Sequence, residues 1–337
     1  MSCFSPNIIR KEWNKRKGIF EVKFYGGLKK FREQIPSDFT ELEYINKFNY
    51  IVVPCGQCKG CRLDYSRSWA DRCMFECETS SSAYFVTLTY DPEHVPLSQG
   101  CDEDGVLCDT MTLRPDDLTK FMKDFRRYQQ YHFDNLNVRF FACGEYGDKG
   151  SRPHYHLILY NAVLPDLIHR SNNQQGDEYF VSDIISRVWN KGICVVSEVN
   201  WDTCAYTARY VMKKQKGKAA KEYYGRLGIE PEFVRMSRRP GIGADYYFEH
   251  KGEIYQDGYV YVQKKDGAQR STPPKYYDRL YGIEEPDKLD ILKIERKFEV
   301  SEDLKVKLKG TNLDYFDYLA SCEENFIAKF KSYRQNI

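Results

Sequence analysis

Two apolar segments separated by a glycine-rich turn constrain the fold of this chain most strongly. Residues 138–143 form an apolar run that predicts a β-strand, and residues 146–152 contain two glycines and predict a turn. Beyond the turn, His154 and His156 alternate with Tyr155 and the apolar residues that follow, as in a strand with one buried face. The segment therefore predicts an antiparallel pair of strands joined as a hairpin.

The predicted hairpin groups a carboxylate with two imidazoles. Residues i and i+2 of a strand project from the same face, so His154 and His156 can share one metal ion. If the register is symmetric about the turn, Glu145 lies opposite His154 and diagonal to His156. Two imidazoles and one carboxylate leave coordination positions open and accept Mg²⁺ or Mn²⁺. The alternative is that the two histidines make ordinary hydrogen bonds at the surface.

Tyr206, Tyr210 and Lys213 share one face of a predicted helix. A helix turns by about 100° per residue, which puts Tyr210 about 40° and Lys213 about 20° from Tyr206. A phenol, with an ordinary pKa of about 10, needs a nearby cation or a metal-polarised target to attack phosphorus near neutral pH. The three residues therefore indicate an activated tyrosine nucleophile, and the alternative is an aromatic stripe that packs on the core.

Three motifs, in this order along the chain, resemble those of HUH-superfamily rolling-circle replication initiators: the strand 85–90, the segment 154–156, and Tyr206 with Tyr210 and Lys213. More narrowly, residues 54–63, 66–70 and 236–243 resemble the replication initiation proteins of gokushovirus-type microviruses, which are small single-stranded DNA bacteriophages. The resemblance covers about residues 53–281. At Cys77 the chain departs from it, because that family has a histidine before the glutamate; residues 75–78 are therefore given no role.

The resemblance implies a cycle of nicking and joining. One tyrosine attacks a phosphodiester of the single-stranded origin, leaving a 3′-hydroxyl for a host polymerase and a 5′-phosphotyrosine on the protein. The second tyrosine cuts the regenerated origin, and the displaced strand is closed. The chain contains no P-loop motif, so we expect a host helicase to unwind the duplex. Two alternatives are a non-catalytic module that stacks tyrosines on bases around a structural metal, and a metal-dependent phosphohydrolase that uses water.

The charge of the chain predicts local contacts with DNA. The formal net charge is only +2, which argues against binding through bulk positive charge. The candidate contacts are Arg209 and Lys214 beside the tyrosines, and Arg238 and Arg239 ahead of a glycine-rich segment. No run approaches the roughly 20 apolar residues of a membrane span, and we expect the protein to act in the host bacterial cytoplasm.

Twelve cysteines are scattered along the chain. Cys55, Cys58 and Cys61 are separated by two residues each, and such spacing brings thiolates within reach of a tetrahedral ion. These three could hold structural Zn²⁺ with Cys73 as the fourth ligand. The alternative is a group of free thiols in a tight turn.

The order of the predicted elements indicates an α+β fold, with an antiparallel sheet flanked by helices, as the HUH resemblance also implies. We expect an N-terminal arm over residues 1–83 and a nuclease core over 84–220. Residues 221–337 form a C-terminal region with a basic glycine loop, a hairpin and a charged helical tail. Within that region, Asp257-Gly258 and Asp266-Gly267 both predict hairpin turns.

Overall fold

A computed structural model describes residues 3–101, 104–147, 150–173, 176–213 and 218–335, and within these ranges it describes all side chains except those of residues 210–219 and 329–335. The chain forms two compact units. One comprises residues 66–281, and the other comprises residues 1–65 together with residues 282–337. The boundary at residue 65 falls inside one continuous helix, Lys59–Glu78.

The strands are β1 (Asn7–Asn14), β2 (Ile19–Gly27), β3 (Ile51–Val53), β4 (Ala83–Tyr90), β5 (Leu97–Cys101), β6 (Leu107–Met111), β7 (Arg139–Tyr146), β8 (Pro153–Tyr160), β9 (Ile168–Asn172), β10 (Glu178–Val181), β11 (Gly192–Glu198), β12 (Phe233–Met236), β13 (Val260–Lys264) and β14 (Gly267–Ser271). The helices are α1 (Leu28–Arg32), α2 (Glu41–Lys47), α3 (Lys59–Glu78), α4 (Pro115–Phe133), α5 (Asp183–Trp189), α6 (Trp201–Lys213), α7 (Lys218–Leu227), α8 (Ala244–Asp257), α9 (Lys275–Glu284), α10 (Pro286–Lys309) and α11 (Tyr315–Gln335).

A seven-stranded sheet organises the unit of residues 66–281. Its strand order is β12-β7-β8-β4-β11-β10-β9, and the neighbouring strands are antiparallel. Helices pack against it, so the predicted α+β fold with an antiparallel sheet is confirmed. Among the described residues, no helix is both long and apolar enough to cross a membrane.

The period-2 alternation of the central strands separates two faces of this sheet. On one face, apolar side chains of β4 and β8 form a single buried cluster with α4 and α5. In α4, Phe121 and Phe125 are fully buried, and replacing such a residue with alanine costs about 3–5 kcal/mol. On the other face, Trp69 of α3 packs on Phe141 of β7 with ring centroids 5.2 Å apart. That second face also carries the two histidines.

Glu76, to which the sequence assigned no role, is a structural residue. It lies in α3, is buried, and forms an ion pair with Arg139 of β7. Its carboxylate also accepts a hydrogen bond from the backbone N–H of Gly243, at 2.6 Å. A buried carboxylate is tolerated only when it is paired and hydrogen-bonded in this way.

The second unit joins the two ends of the chain. Its sheet has the order β2-β1-β3. Ile8, Phe31 and Ile45 from the N-terminal residues form a buried cluster with Tyr315 and Phe316 of α11. The carboxyl-terminal tail therefore completes a core whose other half lies at the amino terminus.

The three segments expected from the sequence do not coincide with these two units. Residues 66–83 of the expected arm belong to the unit that contains the large sheet, because most of α3 packs there. Residues 221–281 belong to the same unit, since β12 pairs with β7. One of the two expected hairpin turns is also corrected: Gly258 terminates helix α8, and the hairpin of β13 and β14 turns at residues 265–266.

Candidate metal and tyrosine site

Strands β7 and β8 bring the three predicted metal ligands together. Glu145 pairs with His154 across the ladder, and His156 pairs with Cys143. This is the register expected from the sequence, so Glu145 lies opposite one histidine and diagonal to the other. All three side chains point to the sheet face that is not covered by α4 and α5.

A single carboxylate oxygen faces both imidazoles. Glu145 Oε1 lies 2.6 Å from His154 Nε2 and 2.8 Å from His156 Nε2. Glu145 and His156 are buried, whereas His154 is partly accessible. Burial alone would raise the pKa of the Glu145 carboxyl, but the hydrogen bonds from His154 and His156 hold that pKa below its ordinary value.

The other nitrogen of each ring is also held in place. His154 Nδ1 lies 3.1 Å from the carbonyl oxygen of Arg152, and His156 Nδ1 lies 3.0 Å from Thr87 Oγ1. Such outer hydrogen bonds fix the orientation and tautomer of histidines that bind metals. The sequence analysis missed Thr87, although the residue lies in a strand that it identified. The available signal was its position in the alternation of β4, directly opposite His156.

The spacing of these donors is close to that required by a divalent cation. Ligands of Mg²⁺ lie about 2.0–2.1 Å from the ion, so neighbouring donors of an octahedron are about 3 Å apart. The 2.6 and 2.8 Å contacts of Glu145 need to open by only a few tenths of an ångström to reach this value. The three residues, with mixed nitrogen and oxygen donors, therefore fit Mg²⁺ or Mn²⁺.

Tyr206 of α6 reaches the same carboxylate. Its hydroxyl donates to Glu145 Oε1 at 3.3 Å, and its ring centroid lies 5.0 Å from that of His156. The side chain is 39% exposed, so the phenol has access to solvent. The neighbouring helix residues Cys204 and Ala208 are fully buried, and they anchor α6.

The other residues predicted near the tyrosine are only partly described. The backbone of α6 includes Tyr210 and Lys213, but their side chains lie outside the described residues, as does the whole of Lys214. Arg209 is exposed, three residues after Tyr206 on the same helix. The predictions for Tyr210, Lys213 and Lys214 therefore remain predictions.

Arg238 and Arg239 are exposed but lie far from Glu145. They follow β12, whose last residue, Met236, pairs with Phe141. Since a strand rises about 3.3 Å per residue, the beginning of β7, near which these arginines lie, is about 17 Å from Glu145. Arg238 instead lines a groove with several basic side chains of α4 and β12, namely Lys123, Arg126, Arg127 and Arg235.

The cysteine group expected from the sequence is present with one different member. Cys55, Cys58 and Cys61 cluster with Cys3, and Cys73 lies elsewhere. The choice of Cys73 as fourth ligand is corrected for a geometric reason. Cys61 and Cys73 both belong to α3, and 12 residues at 1.5 Å each separate them by about 18 Å. The carbonyl of Cys73 instead accepts a hydrogen bond from Tyr160.

Fold and site together define a class: α+β proteins whose antiparallel sheet presents two imidazoles and a carboxylate beside a tyrosine carried by a helix. Residues 83–215 match the family model of the replication-associated protein ORF2. The chain is 36% identical over 277 residues to replication-associated protein ORF2 of Spiroplasma virus 4, covering 80% of this chain and 82% of that protein. It therefore belongs to the family of phage replication-associated proteins, and the resemblance to microvirus replication initiators is confirmed.

Two further relatives extend this comparison. Replication-associated protein VP4 of Bdellovibrio phage phiMH2K is 27% identical over 287 residues, which cover 84% of this chain and 81% of the relative. Replication-associated protein ORF4 of Chlamydia phage 1 is 26% identical over 259 residues, covering 73% and 58% respectively. No solved structure matches the chain. The membership supports the role of replication initiator that the sequence predicted.

Proposed function

We propose that this chain initiates rolling-circle replication by nicking and rejoining single-stranded origin DNA, with Tyr206 as a nucleophile of the HUH type. One observation carries the proposal. The hydroxyl of Tyr206 lies 3.3 Å from Glu145 Oε1, the same oxygen that faces Nε2 of His154 and of His156. A phosphate oxygen held beside these ligands would present its phosphorus to the phenol.

The hydrogen bonding of His154 supports a divalent cation at this position. A carbonyl oxygen only accepts, so Nδ1–H of His154 donates to Arg152. In a neutral ring, Nε2 then carries a lone pair, which faces the Glu145 carboxylate. Two acceptors at this distance require a proton or a metal ion between them.

In the proposed site, His154 Nε2, His156 Nε2 and the Glu145 carboxylate would hold Mg²⁺ or Mn²⁺. A bound ion of this kind would polarise a phosphoryl oxygen and offset the negative charge that develops there. Burial of Glu145 and His156 keeps these donors fixed and excludes water from their inner side. The partly accessible His154 and the exposed Tyr206 leave the outer side open to a nucleic-acid strand.

The proposed reaction transfers a phosphoryl group from one oxygen to another. The Tyr206 oxygen attacks the phosphorus, its proton is lost to a base, and the bond from phosphorus to the 3′ oxygen breaks. The 3′ oxygen takes up a proton, and the 5′ phosphate remains esterified to the tyrosine. The ester conserves the bond for rejoining, because a 3′-hydroxyl can attack it in the reverse direction. Tyr210 would supply the second nucleophile, and Lys213 the nearby positive charge.

Contacts with DNA are proposed at two places. Arg209 and Lys214 flank the tyrosine, whereas Arg238 and Arg239 lie at the far end of β7, where they would bind the same strand several nucleotides away. Phosphate contacts of this kind position a strand without reading its sequence. A host polymerase would extend the 3′ end, and a host helicase would unwind the template.

Adduct formation tests the proposal. Single-stranded oligonucleotides tiled across the phage genome are incubated with the full chain and Mn²⁺, and protein–DNA adducts are resolved under denaturing conditions. We expect an adduct on the 5′ side of a nick, mapped by peptide sequencing to residues 201–213, and its loss in Tyr206→Phe plus Tyr210→Phe. Tyr223→Phe is a matched control, because Tyr223 is 38% exposed, almost as much as Tyr206.

The three readings of the sequence predict different results in this assay. Cleavage without an adduct, persisting in the double variant, would identify a phosphohydrolase that uses water. Binding without cleavage, weakened by Tyr206→Phe, would identify a module that stacks its tyrosines on bases. An adduct mapped to a tyrosine outside α6 would refute the assignment of the nucleophile.

A further inference from the structure

Four cysteines from three parts of the chain meet in the unit formed by the two ends of the chain. Cys3 precedes β1, Cys55 and Cys58 lie in the loop after β3, and Cys61 lies in the first turn of α3. Their sulfur atoms all lie within 4.8 Å of one another. Cys3 and Cys61 are buried. The proposed nicking reaction uses none of these residues.

The sulfur–sulfur distances match the edges of a metal-centred tetrahedron. A Zn–S bond is about 2.3 Å, so two thiolates bound to one tetrahedral zinc ion are about 3.8 Å apart. Cys58 Sγ lies 3.8 Å from Cys3 Sγ, and Cys55 Sγ lies 4.0 Å from Cys61 Sγ. A disulfide would need a separation of about 2.05 Å, and all four residues are free cysteines.

Backbone N–H groups point at these sulfur atoms. Cys55 Sγ accepts from the N–H groups of Gln57 and Cys58, at 3.4 and 3.2 Å. Cys3 Sγ accepts from the N–H of Cys55 at 3.3 Å, and Cys58 Sγ accepts from that of Cys61 at 3.5 Å. Such donors stabilise the negative charge of thiolates and orient them toward a metal. The amino terminus of α3 adds the positive end of its dipole.

We propose that Cys3, Cys55, Cys58 and Cys61 bind one structural Zn²⁺. Four thiolates complete the tetrahedral shell and leave no position for a substrate, which is the arrangement of a structural rather than a catalytic zinc site. The ion would fasten the start of β1 to the loop after β3 and to the first turn of α3. A sheet of only three strands gains stability from such a link, because metal binding contributes directly to the free energy of folding.

Metal analysis of the full chain tests this proposal independently of nicking. The chain is purified without a histidine tag and dialysed against a chelator, and its metals are measured by mass spectrometry. We expect one zinc per chain, released in proportion to the cysteines modified by a mercurial reagent. His154→Ala plus His156→Ala should retain this zinc, so a failure of the proposed nicking site leaves the prediction unchanged.

Substitutions distinguish the four ligands from the other cysteines. Cys3→Ser should lose the zinc, whereas Cys73→Ala and Cys322→Ser should retain it. Cys322 is a matched control, because it is partly buried and belongs to the same unit. Zinc loss in Cys73→Ala with retention in Cys3→Ser would overturn the assignment, as would a freshly purified chain that contains no zinc or that contains iron instead.

Cobalt substitution keeps the proposal testable if Cys3→Ser does not fold. Co²⁺ bound by four thiolates gives intense visible bands and a sulfur-to-cobalt charge-transfer band in the near ultraviolet. The wild-type chain refolded with Co²⁺ should show both, and Cys3→His, which keeps four ligands, should shift the visible bands and weaken the charge transfer. Weak octahedral bands in the wild type, or a spectrum unchanged by Cys3→His, would refute the site.

Discussion

Replacing Thr87 with valine tests whether His156 is oriented for metal binding. Valine matches threonine in shape and favours a strand, so the change removes little except the hydroxyl. In the structure, Thr87 Oγ1 lies 3.0 Å from His156 Nδ1, directly across the ladder between β4 and β8. A ring that binds a metal through Nε2 must carry its proton on Nδ1, and that N–H would donate to Thr87.

The magnitude follows from the burial of this hydrogen bond. His156 is only 6% exposed, so water cannot readily replace the lost acceptor. Leaving a buried donor unsatisfied costs about 1–3 kcal/mol. Loss of an outer-shell partner typically weakens metal affinity by about 10- to 100-fold, which corresponds to about 1.4–2.7 kcal/mol. We expect Mn²⁺ affinity to fall within this range.

Isothermal titration with Mn²⁺ measures the effect, with two control variants. Thr87→Ser keeps the hydroxyl and should bind Mn²⁺ much as the wild type does. Thr89→Val makes the same change two residues along the same strand, where the described residues include no hydrogen bond from the hydroxyl to an imidazole. An affinity of Thr87→Val within about twofold of the wild type, a difference of less than about 0.5 kcal/mol, would refute the role given to this hydrogen bond.

Three further predictions concern stability. The pKa of Glu145 is lowered in the folded chain, so its ionised form stabilises the fold above the ordinary carboxyl pKa of about 4.3, and this contribution is lost as the pH falls through the folded pKa; Glu145→Gln should therefore lower the melting temperature more at neutral pH than in acid, and equal losses would contradict this. Gly192 has a φ of +143°, and an added Cβ would lie 2.3 Å from the carbonyl oxygen of Thr89, so in urea denaturation Gly192→Ala should destabilise by at least about 1–3 kcal/mol, while Gly225→Ala, in open space on α7, should not destabilise. Burial raises the pKa of Tyr155 to about 12; Tyr155→Phe should cost about 1–3 kcal/mol but still form the DNA adduct, and loss of the adduct in a folded variant would contradict the assignment to α6.

Local patterns predicted the central strands and helices well. Apolar residues at helical spacing indicated a helix near residues 116–131, and α4 spans Pro115–Phe133. Alternation and a glycine-rich turn predicted the pairing of β7 with β8, because both signals depend on neighbouring residues. The signal at Asp257-Gly258 was ambiguous for a physical reason. A glycine with positive φ suits a hairpin turn and the end of a helix equally, and the structure uses Gly258 for the latter.

Contacts between distant segments were beyond the sequence. The packing of α11 on the N-terminal strands depends on complementary apolar faces about 300 residues apart, which no periodicity reveals. The same limit explains the error at Cys73, since Cys3 lies more than 50 residues from the other ligands. Within the candidate metal site, the ligands of one hairpin were predictable, whereas Thr87 belongs to a strand more than 60 residues earlier.

The placement of Tyr206 limits how a strand could be rejoined under the proposed mechanism. Cys204 and Ala208, on the buried side of α6, are fully buried, so the helix cannot shift without opening the core. Glu145 and His156 are fixed equally firmly by the sheet. A phosphotyrosine at residue 206 would therefore stay beside the metal ligands throughout a round of synthesis. The 3′-hydroxyl must then be brought to it, so exposed basic residues distant from the tyrosine, such as Arg238, would contribute to joining by guiding the returning strand.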